Sequence, residues 1–264
     1  MSEFREVKGK VAVVTGAARG IGAGAAKKMA EEGINVVVSD ILPEVHETFK
    51  EIQEENPDID GFAMEVDVSN EEQVKELIDK TVDELGQIDI LVNNAGIHAG
   101  AAKIWEVEVE DVDKLMAVNF KGQLYGCKYA SRYMKEQESG TIVNIGSFFG
   151  KVGHADSSVY GATKAAVHTM TQAISLELAP YNVNVNALCP GLAATEMHWD
   201  FVEQDADKLG ITFEEMKQKE LDEIPLGRYG YGKDMAGAVM FLASKAGEYI
   251  TGQLINVNGG LDFS

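Results

Sequence analysis

The sequence predicts an α/β fold, one mostly parallel sheet with helices packed on both faces. Three observations lead there. Short runs, mostly rich in Val and Ile, alternate strictly with longer amphipathic stretches, the order expected of strands joined by crossover helices. Most of those runs are too short to be core helices. No Pro/Gly/Ser-rich linker or like-charge block interrupts the rhythm across 264 residues, so a single domain spanning residues 1–264 is expected.

The elements follow in order. The first strand, 11–15, leads into a helical pattern at 20–32, which Gly33 ends in the manner of a C′ glycine. Strand 34–39 precedes helix 44–54, and strand 61–66 precedes helix 71–85, which stops before Gly86. Strand 88–92 is followed by a long helix at 112–136, strand 141–145 by helix 158–179, and strand 183–188 by helix 233–243; strand 254–257 closes the pattern. Residues 196–222 break the alternation. They are polar, helical in composition, and follow the turn Pro190-Gly191. A segment of that kind at the carboxyl edge of a sheet is a candidate lid, here at about residues 192–226.

Composition narrows the function. Lys+Arg number 23 and Asp+Glu 43, a formal net charge of −20, which argues against nucleic acid as the main partner and against docking on anionic lipid. A 45% hydrophobic fraction is enough for a sizeable core. Two Cys rule out a disulfide framework. No run of about 18 apolar residues is present to span a membrane. The opening Met1-Ser2-Glu3-Phe4-Arg5-Glu6 lacks the apolar core of a secretory signal. These readings together give the expectation of a soluble, cytoplasmic protein. The five His show no zinc-like spacing with Cys127 or Cys189, so no metal is expected.

The first strand runs into Thr15-Gly16-Ala17-Ala18-Arg19-Gly20-Ile21-Gly22. The glycines allow a tight turn, a close backbone approach to a pyrophosphate, and close packing of helix on strand. The helix that opens here points its free N–H groups at phosphate. Asp40 ends the second strand, where a carboxylate accepts hydrogen bonds from an adenosine ribose and repels a 2′-phosphate. Asp40 therefore favours NAD over NADP. Arg19 pulls the other way, but no second basic residue beside Asp40 assists it.

Tyr160 and Lys164 stand four residues apart in a helical pattern, on one helix face. The ammonium can favour the phenolate and lower the tyrosine pKa, which suits proton exchange with an alcohol. Ser147 ends a strand at the carboxyl edge, where its hydroxyl can hold a substrate oxygen. Asn119 is a polar residue on an otherwise apolar helix face, placed to support a water chain to the lysine.

Taken together, Thr15-Gly16-x-x-x-Gly20-x-Gly22, Asp67-Val68, Asn93-Asn94-Ala95-Gly96, Asn119, Ser147, Tyr160-x-x-x-Lys164 and Pro190-Gly191 with Thr195 resemble the short-chain dehydrogenase/reductase family over essentially the whole chain. The resemblance implies a Rossmann fold, doubly wound, with seven parallel strands in the order 3-2-1-4-5-6-7. It implies Tyr160 as acid/base, Lys164 as pKa modulator and ribose ligand, Ser147 as the group that positions the carbonyl or alcohol, and Asn119 as support for the proton relay. Gly16, Arg19, Gly20, Ile21, Gly22 and Asp40 would hold the dinucleotide. Asp67 and Val68 would contact adenine, and Asn93, Ala95 and Gly96 would run alongside the cofactor. Pro190, Gly191, Leu192 and Thr195 would hold the nicotinamide and pyrophosphate. Hydride transfer between NAD and a secondary alcohol or ketone is the implied reaction. The family resemblance also implies a homotetramer, with helices 112–136 and 158–179 pairing across one interface and residues 252–264 forming the other.

Three places should shape the substrate pocket: Ile97-His98, then Phe148, Phe149 and His154, then Met197, His198 and Trp199. Imidazoles among aromatics suit a small polar substrate with more than one hydroxyl. Ser147, Phe149, His154 and Trp199 are the candidate contacts. A polyol, sugar alcohol or vicinal diol is the leading expectation. A 3-oxoacyl reductase or hydroxysteroid dehydrogenase is the enzymatic alternative, and a non-catalytic NAD-binding sensor is the alternative from another class. An acidic chain is a poor match for an acidic acyl carrier, and a sensor has no use for Tyr160 with Lys164.

Overall fold

Seven strands, β1 (Val11–Thr15), β2 (Asn35–Asp40), β3 (Gly61–Glu65), β4 (Ile90–Asn93), β5 (Gly140–Ile145), β6 (Val183–Pro190) and β7 (Leu254–Val257), pair in parallel in the order β3-β2-β1-β4-β5-β6-β7. The computed structural model describes residues 7–98, 100 and 102–264. The opening hexapeptide read above for a secretory signal lies outside the described residues.

The helices are α1 (Gly20–Glu31), α2 (Val45–Glu55), α3 (Glu71–Leu85), α4 (Val109–Leu115), α5 (Gln123–Gln137), α6 (Ser158–Leu178), α7 (Glu196–Leu209), α8 (Phe213–Glu223) and α9 (Gly232–Ala243). The period of two along each strand sorts its side chains into two layers. Ala12 and Val14 of β1, with Val36 and Val38 of β2, meet Met29 of α1, Ile52 of α2 and Val239 of α9. Val13, Val37, Leu91, Ile142 and Val185 face the other way and meet Leu77 of α3, Met134 of α5 and Leu178 of α6. Strands buried on both faces read as near-continuous apolar runs, which is why they stood out in the sequence.

Register fixes the rest. Val13 of β1 sits opposite Val37 of β2 and Leu91 of β4, so the strand order reverses direction around β1. With all strands parallel, their carboxyl ends share one edge, and a ligand crevice opens where the order reverses.

Two elements differ from expectation. The long helix at 112–136 is three pieces: α4, a stretch of π-helix at Met116–Gly122, and α5. Asn119 lies in the π turn, and its amide takes both backbone groups of Ile97, accepting from the N–H at 2.8 Å and donating to the carbonyl at 2.9 Å. The widened turn thus ties the helix to the loop after β4. The segment at 196–222 is two helices rather than one polar stretch, because α7 stops at Gly210 and Thr212 opens α8 with a reciprocal cap to Glu215.

Candidate active site

The cleft begins where β1 gives way to α1. Gly16 has φ +64, and a Cβ there would lie 2.6 Å from the Ala95 Cα, so only glycine lets the two loops meet. A Cβ on Gly22 would fall 2.3 Å from the Gly16 carbonyl oxygen. The loop after β4 clamps this turn: Asn94 Nδ2 donates to the carbonyls of Thr15 at 2.9 Å and Gly16 at 2.8 Å. The N–H groups of Asn94 and Ala95 both donate to Thr15 Oγ1 at 3.1 Å. No side chain caps the N-terminus of α1, which leaves its first-turn N–H groups for an outside acceptor.

Asp40 at the end of β2 is fixed by the backbone. Its Oδ2 accepts from Ala18 N–H at 3.0 Å and its Oδ1 from Leu42 N–H at 3.1 Å. The same carboxylate lines a cavity of about 1270 Å³ that continues past Gly16, Arg19, Gly20 and Ile21 to Ser147, Tyr160 and Lys164. Asp67, Val68, Ala95, Gly96, Pro190, Gly191, Leu192 and Thr195 complete its walls. That volume exceeds what a drug-sized ligand fills, so a dinucleotide and a small second molecule fit together. The glycine cradle, the uncapped helix end and the fixed carboxylate suit a nicotinamide dinucleotide: the cradle and α1 would hold its pyrophosphate and Asp40 its adenosine ribose.

At the inner end, Ser147 and Tyr160 both line the cavity, and the Ser147 hydroxyl favours the Tyr160 phenolate. Burial dominates over that influence and pushes the phenol up to about 12. Burial also pushes the Lys164 ammonium down to about 8. The expected lowering of the tyrosine pKa by Lys164 is therefore absent from this structure. Burial is the cause of the upward shift; Lys164 Nζ lies 5.7 Å from the Tyr160 ring centroid and donates to the Ile145 carbonyl at 2.9 Å.

Ser147 is propped from below. Its N–H donates to His168 Nε2 at 3.5 Å, and the same nitrogen lies 3.3 Å from Cys189 Sγ. Burial holds that imidazole down to about 4, so it stays neutral. Gly146 and Gly150 leave the room the ring needs, since a Cβ at either would collide with it. Sequence reading missed His168. Its signal is position: eight residues after Tyr160 on α6, two turns along toward the layer that packs on the sheet.

Four expected residues do not reach the cavity wall. Asn93, 1% exposed, turns into the core and donates to Asn144 Oδ1 at 2.9 Å. It holds β4 to its neighbours rather than facing a cofactor. Gly22 is buried behind the Gly16 turn, where it allows the close packing described above. Asn119 is fully buried against Ile97 and donates to Thr163 Oγ1 at 3.4 Å. His154 lies behind Phe149, stacked on its ring at 3.9 Å between centroids, and is exposed on its far side. Phe149 and Trp199 do line the cavity, together with His98, Phe201 and Gln204. Phe201 and Gln204 escaped notice although they repeat the helix face of Met197 at i+4 and i+7.

The helices α7 and α8 stand over this end. Thr195 Oγ1 caps α7 by accepting from His198 N–H at 3.3 Å. Glu196 pairs with Arg19, joining α7 to the turn before α1. His198 Nε2 meets Glu220 Oε2 of α8 at 2.9 Å, and the Tyr229 hydroxyl donates to the same oxygen at 2.8 Å. Among the described residues, no cluster of three or more His, Cys, Asp or Glu could hold a metal ion. No helix there is long and apolar enough to cross a membrane.

A doubly wound sheet with a long cleft at the carboxyl ends of its strands, and two hydroxyl side chains at the cleft's inner end, suits an oxidoreductase that uses a nicotinamide dinucleotide. Residues 16–262 match the family described as enoyl-(acyl carrier protein) reductase. The chain is 40% identical over 256 residues to diacetyl reductase, (S)-acetoin forming, of Staphylococcus epidermidis, covering 96% of this chain and 98% of that one. It is 37% identical over 256 residues to 3-oxoacyl-(acyl-carrier-protein) reductase FabG of Thermotoga maritima, covering 97% and 98%. Among solved structures, NAD⁺-bound xylitol dehydrogenase superposes with a TM-score of 0.91 at 31% identity, over 97% of this chain and 100% of that one. Levodione reductase gives a TM-score of 0.92 at 28% identity, over 97% and 98%. The chain belongs to the short-chain dehydrogenase/reductase family and is an oxidoreductase.

Proposed function

We propose that this protein transfers hydride between NAD and a small secondary alcohol or ketone, a polyol or a compound with oxygens on adjacent carbons. The observation that carries the reading is the joint placement, in one cavity, of the fixed Asp40 carboxylate at one end and the Ser147–Tyr160 hydroxyl pair at the other. Asp40 faces a 2′-phosphate with like charge. Arg19, the cation that would offset this, is engaged by Glu196. The NAD⁺-bound xylitol dehydrogenase and the diacetyl reductase supply parallel support from the relatives.

A nicotinamide dinucleotide bound in the cleft supplies or accepts the hydride. The Ser147 and Tyr160 hydroxyls hold the substrate oxygen and stabilise negative charge as it develops there. Tyr160 gives its proton to that oxygen when a carbonyl is reduced and takes it back when an alcohol is oxidised. A phenol held near 12 is protonated at neutral pH and so is poised for reduction. Lys164 and Asn119 act behind it. Lys164 places a buried cation within reach of the phenol, and Asn119 fixes the loop around Ile97. The α7–α8 pair is the lid, held together by His198 on Glu220 and latched to the turn before α1 by Glu196 on Arg19.

The test is turnover of a panel of polyols, vicinal diols, hydroxysteroids and 3-hydroxyacyl thioesters, with NAD and NADP in parallel, followed by nicotinamide absorbance. Turnover of a polyol or diol with NAD supports the reading; turnover with NADP, or of acyl or steroid substrates alone, contradicts it. The 37% identity to a 3-oxoacyl reductase favours a second reading. The net charge of −20 opposes it, because an acidic carrier protein would be repelled.

The homotetramer is proposed as well. Leu176 on α6 (78% exposed), Tyr249 and Phe263 leave apolar side chains uncovered on the outer surface near the carboxyl terminus. Light scattering that finds a monomer at micromolar concentration would contradict it.

A further inference from the structure

His98 closes the loop after β4 and lines the cavity. Its ring centroid lies 4.7 Å from that of Tyr160 and 5.1 Å from that of Phe201. Gly100 N–H donates to its Nδ1 at 3.0 Å. A neutral imidazole that accepts at Nδ1 carries its proton on Nε2. Burial holds this imidazole down to about 4, with His198 and Lys208 adding to the effect, so the ring is neutral at physiological pH. Its Nε2 has no hydrogen-bond partner and is closed off by the side chains packed around it, so an oxygen reaches it once a neighbouring ring, such as that of Phe201 on α7, shifts aside. A buried donor without an acceptor is costly, and natural proteins leave few of them. His198 also lines the cavity, but its Nε2 is committed to Glu220.

We infer that His98 Nε2–H receives the substrate oxygen on the carbon next to the reacting one, so that the preferred substrate is a vicinal dicarbonyl, hydroxyketone or diol. The inference rests on the reading that Ser147 and Tyr160 hold the reacting oxygen. The Tyr160 and His98 ring centroids are 4.7 Å apart, so an oxygen held by His98 belongs to the part of the substrate next to the reacting oxygen rather than to a remote one. A neutral N–H matches an uncharged oxygen. It offers no countercharge to a carboxylate or phosphate, and it has nothing to donate to at a plain methylene. His98 is thereby a specificity residue, set beside the reacting group and separate from the proton transfer.

The experiment compares butane-2,3-dione with butan-2-one in wild type, His98→Phe and His98→Gln. Phe keeps the ring packing and removes the donor; Gln keeps a donor. Two readouts run together: kcat/KM with the reduced dinucleotide, and calorimetric binding of each ketone in the presence of the oxidised dinucleotide, where no reduction occurs. The dione-to-butanone ratio should fall roughly 10- to 100-fold in His98→Phe. It should stay within about threefold of wild type in His98→Gln, with dinucleotide binding unchanged in both. A ratio unchanged in His98→Phe overturns the inference. If neither variant folds, the Nε2 nitrogen chemical shift of His98 in the wild type decides: it moves with dione and not with butanone, or the assignment is wrong. Wild type that reduces neither ketone yet binds dione in a His98-dependent way would sink the proposed reaction and leave His98 standing. Reduction of dione with a ratio indifferent to His98 would do the reverse.

Discussion

Replacing Lys164 with methionine should make the protein more stable while removing its activity. Lys164 is 3% exposed, and burial moves its pKa from 10.5 to about 8. At neutral pH the folded chain therefore holds a buried ammonium at a cost of about 3 kcal/mol. Methionine has a similar unbranched shape and no charge. The change also loses the hydrogen bond to the Ile145 carbonyl, but Gln123 Nε2 still donates to that oxygen at 3.0 Å, so the loss is about 1 kcal/mol. The net gain is about 2 kcal/mol, or roughly 4–6 °C in Tm. The sign with pH follows from the direction of the shift. Below about 8 the lysine is protonated folded and unfolded, and the full penalty applies. Between about 8 and 10.5 the unfolded chain binds more protons, so wild-type stability rises with pH and the gap to Lys164→Met closes. Thermal unfolding by circular dichroism at pH 7 and at about pH 10, at matched protein concentration, reads both effects. A variant less stable than wild type at pH 7, or a gap that does not shrink toward pH 10, would refute the reasoning.

Three further outcomes are expected. Asp40→Asn removes a charge worth between about 1 and 4 kcal/mol against a group 4 Å away, so the NADP-to-NAD ratio of kcat/KM should rise roughly 10- to 100-fold; an unchanged ratio contradicts the role given to Asp40. Asn119→Leu strips Ile97 of both its side-chain partners and should cost about 2–4 kcal/mol in urea unfolding, a loss that an unaltered midpoint would exclude. Because the Tyr160 phenol is pushed up to about 12, alcohol oxidation, which needs the phenolate, should accelerate from pH 7 to pH 10, whereas carbonyl reduction should not; a flat oxidation profile would argue against Tyr160 as the base.

What could be read from the chain was whatever depends on local spacing. Strands such as β1 and β2 are buried on both faces and stand out as unbroken apolar runs. The four-residue interval between Tyr160 and Lys164 sets them on one helix face before any tertiary contact is known. What could not be read depends on direction and on through-space neighbours. Asn93 and Asn94 are adjacent and chemically identical, yet the strand's alternation sends Asn93 into the core and Asn94 to the Gly16 turn. The π turn at Asn119 inserts no visible mark into the helical pattern. The depression of the Lys164 pKa comes from burial in the folded chain, and the open donor on His98 from packing against side chains far away in sequence, among them Phe201. His154 and His98 looked alike as imidazoles near the pocket, and only the packing of Phe149 separates them.

The most direct test of the account is the initial rate of NADH-dependent reduction of a vicinal dicarbonyl by wild type and Tyr160→Phe, with NADH binding followed by fluorescence in both. The account predicts turnover by wild type, a roughly 10²- to 10⁴-fold fall in kcat for the variant, and equal NADH affinity. Wild type that binds NADH but reduces no carbonyl, or a variant that keeps its rate, would contradict it.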